Sequence, residues 1–203
     1  MKKGFTLLEL LVVVGILGIL MAVLIGAFSK APRKAEKAKC QELVFNVATA
    51  LTTLFDENGA WPQALIKNHN TEQGLDATAA YPLAKVGMSL TKNDGSRRTS
   101  GLDKFGVISP WAQLVVKARG SSASESDKVP SGGTVRDHRI RYALDLDGDG
   151  VIESVKVGGE TLNIRATAAV WCCGADGKIE TYKLGQRKDD VYSWTYGQTQ
   201  GVK

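Results

Sequence analysis

The sequence predicts an α+β protein in which a long N-terminal helix packs on a small antiparallel β-sheet head. Two patterns lead to this fold class. The N-terminal part joins an uncharged apolar run to an amphipathic helical repeat, and the C-terminal part alternates apolar and polar residues in short strands separated by turns. With 203 residues, of which 43% are hydrophobic, the chain suits one folded domain with an appendage and argues against disorder.

The first element is an apolar run over residues 10–28, which contain no charged side chain. A helix of this length rises about 28 Å, close to the hydrocarbon thickness of a bilayer. The alternative is a cleaved secretory signal, with a basic start and a cut after Ser29. Such signals usually have a shorter apolar region of about 7–15 residues and carry no acid, whereas Glu9 precedes this run. We therefore predict a transmembrane helix over residues 5–29.

Glu9 is unusual because a carboxylate at the mouth of an apolar helix costs a few kcal/mol by insertion scales. One interpretation is a hydrated side chain at the depth of the lipid headgroups. The other pairs Glu9 with an amine. Cleavage of the chain after Gly4 would leave Phe5 with a free α-ammonium group about 6 Å along a helix from Glu9, within reach in the same subunit or in a neighbour.

Residues 2–9, KKGFTLLE, followed by the apolar run, resemble the prepilin leader of type IV pilins and type II secretion pseudopilins. The resemblance implies that prepilin peptidase removes residues 1–4 by cleavage between Gly4 and Phe5, and that Phe5 is then N-methylated. It also implies that the subunit is stored in the membrane and that Glu9 meets the Phe5 amine of a neighbour during assembly. The apolar helices would then form the core of a filament.

Charge is concentrated near the N-terminus. Residues 1–42 hold 7 basic and 3 acidic groups, whereas residues 43–203 hold 19 basic and 18 acidic groups. A nearly neutral head lacks the basic field that a phosphate backbone requires, so we expect no nucleic-acid partner. Two basic residues precede the apolar run, and five follow it: Lys30, Arg33, Lys34, Lys37 and Lys39. The positive-inside rule alone would place the C-terminal side in the cytoplasm, but the leader motif implies the periplasm, and we follow the motif.

The second part of the helix is predicted over residues 30–58. Apolar residues recur there at spacings of three and four, as on a helix that lies on a globular domain: Cys40, Leu43, Val47, Ala50 and Leu54. Asn58 and Gly59 tolerate the left-handed backbone of a helix end. Residues 50–62 resemble the helix end of type II secretion pseudopilins more closely than that of fimbrial pilins.

The head is predicted over residues 59–203. It contains a variable connector at about 63–100 and an exposed loop at 121–133, whose residues are small and polar and include glycine and proline. Alternating patterns predict one antiparallel sheet. The strand segments are 107–117, 139–144, 151–157, 166–172 and 178–182.

The segment DLDGDGVIE, residues 145–153, is a candidate calcium site. Carboxylates at alternate positions can surround a hard cation with oxygen atoms about 2.4 Å away, and a carbonyl can complete the set. The predicted ligands are Asp145, Asp147, Asp149 and the carbonyl of Val151. The alternative is an acidic hairpin without a metal.

A second candidate calcium site comes from a resemblance. Residues 170–178 and 189–194 resemble the closing loop of major pseudopilins, which brackets a calcium-binding loop, and this implies a role for Asp176, Asp189 and Asp190. The chain lacks the glycine-rich stretch of that family between the two segments. A hairpin with a surface acidic pair is the alternative.

Three cysteines cannot all pair within one chain. We expect Cys40 to be buried and reduced on the apolar face of the helix, and Cys172 and Cys173 to form a vicinal disulfide or to stay free. The two histidines, His69 and His138, are expected at the surface. Neither lies in a recognisable catalytic motif, so we expect no enzyme.

Together these observations predict a pseudopilin, a structural subunit of a type II secretion pseudopilus that drives protein export. Its partners would be other pseudopilin subunits, prepilin peptidase and the inner-membrane platform of the secretion machine, with the head in the periplasm. One alternative is a minor type IV pilin that serves adhesion, motility or DNA uptake. Another is a membrane-tethered calcium-binding or adhesive domain whose N-terminus only mimics the leader.

Overall fold

The computed structural model describes residues 7–28, 31–86, 105–112, 124–180, 189–195 and 198–201. The chain divides into two compact units, Met1–Glu36 and Lys37–Lys203. The predicted leader, with the cleavage site between Gly4 and Phe5, lies outside the described residues.

Two helices occupy the region in which the sequence predicts helix. Helix α1 spans Leu7–Phe28, and helix α2 spans Ala31–Asn58. Pro32 lies in the first turn of α2, where a proline is tolerated because the N–H group there has no partner within the helix. Within the described part of the chain, no helix is both long and apolar enough to cross a membrane.

The amphipathic pattern of α2 is confirmed. Cys40, Val44, Val47, Leu51 and Leu54 are each at most 3% exposed, and they form one side of a hydrophobic core. The predicted helix end is also confirmed. Gly59, with a φ of 64°, donates its N–H to the carbonyl of Phe55 at 2.7 Å. The left-handed backbone at this position explains the preference for glycine.

The predicted connector contains short helices in its described part. Helix α3 spans Gln63–Asn68, helix α4 spans Ala77–Ala80, and a 3-10 helix spans Tyr81–Ala84. Asp76 caps α4 because its carboxylate accepts hydrogen bonds from the N–H groups of Thr78 and Ala79. Each of these helices is too short to produce a recognisable helical repeat of apolar residues in the sequence.

The described residues of the head form two three-stranded antiparallel sheets where the sequence predicted one. The first has the strand order β1-β4-β5, and the second has the order β2-β3-β6. Their bounds are β1 Arg141–Leu144, β2 Val151–Val157, β3 Glu160–Arg165, β4 Ala168–Cys172, β5 Val191–Tyr192 and β6 Thr199–Gly201. In the described part of the predicted strand 107–117, residues 107–112 contain a single bridge at Ile108 followed by a helical turn at 110–112. Of the predicted strand 178–182, residues 178–180 form no strand, and residues 113–117 and 181–182 lie outside the described residues.

Strand β4 is buried on both faces. Ala168, Val170 and Cys172 belong to the core that contains the apolar face of α2. Ala169 and Trp171, which alternate with them, belong to the core shared with the second sheet. Since successive side chains of a strand point to opposite faces, the first sheet is the central layer between α2 and the second sheet.

The predicted loop 121–133 is packed against the head in its described part, residues 124–133. Glu125 forms ion pairs with Arg136 and with Arg139, and Arg139 is only 3% exposed. The guanidinium of Arg139 also donates to the carbonyl of Phe105 at 2.8 Å. Val129 is buried beside Phe105 in a third, smaller core. The polar residues of this loop are therefore explained by ion pairing with the buried Arg139 as well as by exposure to solvent.

The expected state of the cysteines is wrong at two positions, because Cys40 and Cys172 form a disulfide across 132 residues of sequence. Cys173 is free and buried. The physical reason is that Cys172 points from β4 towards α2, so it meets Cys40 and not its neighbour in sequence. A bridge that closes a loop of this length removes chain entropy from the unfolded state worth about 5 kcal/mol.

We predict that Cys40→Ser lowers the free energy of unfolding by about 3–5 kcal/mol, because the unfolded chain regains the entropy of an open loop. Urea unfolding of the full chain, followed by tryptophan fluorescence, measures the change. Cys173→Ser is the matched control, since it leaves the disulfide intact and should cost much less. A reductant should weaken the wild type and leave the Cys40→Ser variant unchanged, and equal sensitivity of the two would contradict the disulfide.

Candidate functional site

Helix α1 exposes nearly all of its described apolar side chains. Its large hydrophobic residues between Leu7 and Met21 range from 46% exposed at Val13 to 84% at Leu7. Glu9 is the acidic residue of the first turn of α1, and its side chain is exposed. A carboxylate at this end is favoured by the partial positive charge of the helix N-terminus. The pairing of Glu9 with the Phe5 amine stays a prediction, because Phe5 lies outside the described residues.

The second candidate feature is the acidic loop, residues 145–150, which joins β1 to β2. Asp145 is 4% exposed, and both its backbone N–H group and its backbone carbonyl form hydrogen bonds. Its N–H donates to the carbonyl of Thr167 at 3.0 Å, and its carbonyl accepts a hydrogen bond from the indole N–H of Trp61. Trp61 itself stacks on Phe55, with ring centroids 4.7 Å apart. The loop is therefore anchored both to the end of α2 and to the start of β4.

The carboxylate of Asp145 organises the acidic loop. One oxygen accepts a hydrogen bond from the N–H of Gly148 and the other from the N–H of Gly150, each at 2.8 Å. Both glycines have φ near +80°, a region that other residues rarely adopt. Asp149 accepts a hydrogen bond from the N–H of Val151 at 2.7 Å. The chain therefore curls around the Asp145 carboxylate and brings the following carboxylates back towards it.

The geometry of the acidic loop fits a calcium ion. One oxygen from each of Asp145, Asp147 and Asp149 lies within 4.8 Å of the others, and this is the metal-ligand cluster found among the described residues. Two ligands of one Ca²⁺ ion, each about 2.4 Å from it, are at most about 4.8 Å apart. Val151, the fourth predicted ligand, opens strand β2 opposite Arg165. The donor set is entirely oxygen, as this hard cation prefers.

The other predicted acidic residues have structural partners. Asp190, which is 6% exposed, accepts hydrogen bonds from the N–H groups of Gly174 at 2.8 Å and Glu180 at 2.7 Å. Burial raises the pKa of Asp190, and the two backbone hydrogen bonds oppose this change. Asp189 accepts from the N–H of Ala175 at 2.7 Å. These carboxylates hold residues 174–180 in place, and calcium binding by them stays a prediction.

Asp176 caps its own turn, because one of its carboxylate oxygens accepts a hydrogen bond from the N–H of Lys178 at 3.0 Å. The adjacent Gly177 has a φ of 74° and approaches Gly133 closely, so that a Cβ atom on Gly177 would lie 2.8 Å from the Cα of Gly133. The Asp176-Gly177 turn therefore contacts the loop that precedes β1. No second strand follows this turn at residues 178–180.

The expectation that His138 lies at the surface is wrong. The side chain is fully buried, and its Nε2 atom lies 2.8 Å from the carbonyl oxygen of Gly132. Nε2 must donate there, so Nδ1 accepts, and the hydroxyl of Ser109 is 3.2 Å from it. Burial lowers the pKa of His138, which favours this neutral form. Its position between Asp137 and Arg139 in the sequence concealed the burial, because both neighbours are charged.

Cys173 lies in the same buried region. Its thiol donates to the carbonyl of Asp137 at 3.1 Å, and burial raises its pKa to about 12. A thiol is nucleophilic as the thiolate, and burial disfavours that form of Cys173 at neutral pH. The contacts of Cys173 and His138 connect the end of β4 to the loop before β1.

Comparison with known proteins shows what the N-terminal features are similar to. The family model described as "Prokaryotic N-terminal methylation motif" matches residues 1–25. The chain is 29% identical over 119 residues to type II secretion system core protein G of Pseudomonas aeruginosa, an alignment that covers 59% of this chain and 78% of that protein. No solved structure matches the chain.

Type IV pilins are similar over a shorter stretch. The chain is 30% identical over 95 residues to the type IV major pilin protein PilE1 of Neisseria gonorrhoeae, and 32% identical over 95 residues to a fimbrial protein of Neisseria meningitidis. Each alignment covers 47% of this chain, and they cover 42% and 52% of the two pilins. The chain thus spans about half the length of these curated relatives.

The N-terminal methylation motif and the α+β fold are similar to those of type IV pilin-like proteins. The chain is similar both to pilins and to a type II secretion core protein, which supports a resemblance to type IV pilin-like pseudopilins. These relatives are named as pilins, a fimbrial protein and a secretion-system core protein, and none of the names is that of an enzyme. The predicted fold class is confirmed.

We predict that Cys173 resists alkylation in the folded chain. With a pKa of about 12, only about one thiol in ten thousand is ionised at pH 8, and burial excludes the reagent as well. Mass spectrometry after iodoacetamide treatment should show almost no modification in buffer and one modified cysteine per chain in denaturant without reductant. Rapid labelling of the folded chain, or three labelled cysteines in denaturant, would contradict the structure.

Proposed function

We propose that this protein is a pseudopilin, a structural subunit that assembles through its N-terminal helix into the pseudopilus of a type II secretion system and so drives protein export. The observation that carries the proposal is the exposed apolar surface of α1, in a segment of the chain that matches the N-terminal methylation motif. The similarity to a secretion core protein, which extends over 78% of that protein, favours secretion over a fimbrial role.

An apolar helix of this kind must be shielded from water. Full burial of a leucine, isoleucine or valine side chain is worth about 1.5–3 kcal/mol. The described part of α1 exposes eleven of them, which is strongly unfavourable in water. Two environments would cover it. Before assembly the inner membrane would hold the helix, with the head in the periplasm, as the uncharged run of residues 10–28 suggests. After assembly the α1 helices of neighbouring subunits would pack against one another.

Glu9 would select the correct packing. A carboxylate and an ammonium group about 4 Å apart attract one another by about 4 kcal/mol at an effective dielectric constant of 20. Removal of residues 1–4 by prepilin peptidase would supply the ammonium group at Phe5, which N-methylation leaves charged. A neighbour displaced along the filament would leave both charges buried without a partner. The pairing therefore favours one offset between adjacent subunits, and the inner-membrane platform of the secretion machine would add subunits at that offset.

A minor type IV pilin is the second candidate, and the similarity to the pilin PilE1 is the observation that favours it. Both candidates are non-enzymatic and use the same N-terminal chemistry. Genes for a secretin and a general secretion ATPase nearby would support the first, and genes for a retraction ATPase would support the second. A membrane-tethered adhesive domain differs from both because it requires no cleavage before Phe5.

We predict that Glu9→Ala leaves membrane insertion intact but lowers incorporation into filaments by about tenfold or more, because the Phe5 amine then has no partner. Filaments sheared from cells and probed for this chain measure the effect. Mass spectrometry of the wild-type protein should show a chain that begins at N-methylated Phe5.

Glu42→Ala is the matched control, since it removes an exposed acid from α2 and should assemble normally. Glu9→Asp should recover part of the incorporation because it restores the charge. Normal assembly of Glu9→Ala would contradict the pairing, and a native chain that still begins at Met1 would contradict the pseudopilin assignment as a whole.

We further propose that the acidic loop binds calcium for a structural purpose, with Asp145, Asp147 and Asp149 as carboxylate ligands and Val151 as a carbonyl ligand. The support is the 4.8 Å cluster of carboxylate oxygens. A bound cation would offset the mutual repulsion of three carboxylates and stabilise the loop between the end of α2 and the start of β4. The second acidic set, Asp176, Asp189 and Asp190, is the weaker proposal, because among the described residues its carboxylates do not form such a cluster of oxygens.

We predict that calcium raises the melting temperature of the full chain by about 5 °C or more at a concentration one hundred times its dissociation constant. The double variant Asp147→Ala, Asp149→Ala should show no increase, whereas Asp176→Ala should respond like the wild type. Differential scanning calorimetry in calcium and in chelator measures both. An unchanged wild-type melting temperature would exclude the metal, and a response that survives in the double variant would place it elsewhere.

A further inference from the structure

His138 is the centre of a buried polar cluster, which we define as Ser109, Gly132, His138 and Cys173. The side chains of His138 and Ser109 are fully buried, and Cys173 is 1% exposed. The Nε2 atom of His138 lies 2.8 Å from the carbonyl oxygen of Gly132. Its Nδ1 atom lies 3.2 Å from the hydroxyl of Ser109 and 3.5 Å from the thiol of Cys173. One imidazole ring therefore contacts three segments that are distant in the sequence.

The cluster attaches the loop of residues 124–137 to the rest of the head. The loop forms hydrogen bonds within itself, such as that from the N–H of Val135 to the carbonyl of Asp127 at 3.0 Å. At its end, the thiol of Cys173 donates to the carbonyl of Asp137 at 3.1 Å. His138 adds the hydrogen bond to Gly132 in the middle of the loop. The imidazole thus connects this loop to the end of β4.

These contacts suit a neutral imidazole. Nε2 carries the proton that reaches the carbonyl of Gly132, and Nδ1 accepts from the hydroxyl of Ser109. A second proton would place an N–H group at Nδ1, where the hydroxyl now donates, and would put a positive charge in a site that excludes water. Burial of a charge is costly unless ionic partners and hydrogen bonds offset it.

We propose that His138 is an acid-sensitive latch, which holds residues 124–137 against the end of β4 while it is neutral and releases them when it is protonated. In the released loop the imidazole is hydrated and has the ordinary histidine pKa of about 6.5. Burial lowers the pKa of His138 in the closed form, although the charges of Asp137, Asp176 and Asp189 act in the opposite direction. Release therefore takes up a proton and becomes easier as the pH falls below about 6.5. At higher pH the histidine is neutral in both forms, and the latch keeps its full strength.

The other titratable groups beside the cluster do not produce this response. Burial raises the pKa of Cys173 to about 12, so it stays a thiol in acid, and Arg141, which acts on Cys173, stays charged. Burial also raises the pKa of Asp190. This carboxyl group binds a proton more readily in the folded chain, so a fall in pH stabilises its surroundings. Loosening of the loop in acid has the sign expected for His138 and the opposite sign to that expected for Asp190.

The test is hydrogen exchange of the full chain in detergent, read by mass spectrometry at about pH 7.5 and about pH 5.5. Rates are divided by the intrinsic exchange rate at each pH, and a chelator is present so that calcium cannot contribute. We expect exchange in residues 124–137 to rise by up to about tenfold at the lower pH, as for one proton taken up by an open form of ordinary pKa. Residues 151–165, which form β2 and β3, should show no such rise.

His138→Gln should abolish the rise, because a glutamine amide can donate to the carbonyl of Gly132 but does not titrate. His69→Gln is the matched control and should respond like the wild type. A His138→Gln chain whose loop exchanges rapidly at both pH values would also support the latch, since the pH dependence is lost. Loop exchange that does not depend on pH in the wild type, or that keeps its dependence in His138→Gln, would overturn the proposal.

A second measurement requires no variant. The NMR shifts of the ring nitrogens of His138 should show a proton on Nε2 and none on Nδ1 in the closed chain at both pH values. A ring that takes up a proton near pH 6.5 while the loop stays protected from exchange would show that the charge is tolerated in the closed form. That result would overturn the latch even if His138→Gln failed to fold.

Discussion

The burial of strand β4 on both faces is the constraint on which the rest of the head depends. One face of β4 packs on α2 and the other on the second sheet, so each neighbouring layer must supply apolar side chains to it. The disulfide between Cys40 and Cys172 fixes one end of that packing. Trp171 fills the opposite face and meets Trp194 edge to face, with ring centroids 5.7 Å apart. The C-terminal part of α2, a central sheet and a second sheet therefore form one layered structure.

Buried polar groups connect these layers where apolar packing ends. Asp145 illustrates this, because its backbone bonds to Trp61 and Thr167 while its carboxylate holds Gly148 and Gly150. A buried carboxylate without such partners would cost several kcal/mol. Asp190 has the same role near the end of β4, where two backbone N–H groups and the hydroxyl of Tyr192 surround it. The loops of the head are therefore ordered by single acidic side chains that each satisfy several backbone donors.

The features that the sequence predicted correctly are those set by neighbouring residues. The stripe on α2 and its glycine end each depend on residues within about one or two helical turns of one another. The features that it missed are non-local. Nothing in the spacing of Cys40 and Cys172 shows that they meet, because that depends on which turn of α2 crosses β4. His138 was missed for a related reason, since its partners Ser109 and Gly132 come from two other loops.

In the proposed function, the exposed apolar helix α1 moves from a membrane into a filament, and this transfer needs a driving force. Lipid tails are as apolar as leucine, so the transfer of α1 from bilayer to protein gains little hydrophobic free energy. Selectivity must then come from close packing and from charge. Gly15 and Gly18 have open space where a Cβ atom would lie, which allows a neighbouring helix to approach closely. Under the proposal, Glu9 would supply the charge, because its attraction to an amine is strongest where water is excluded. Helix α1, which is otherwise apolar, would then depend on this one carboxylate to distinguish the correct neighbour from lipid.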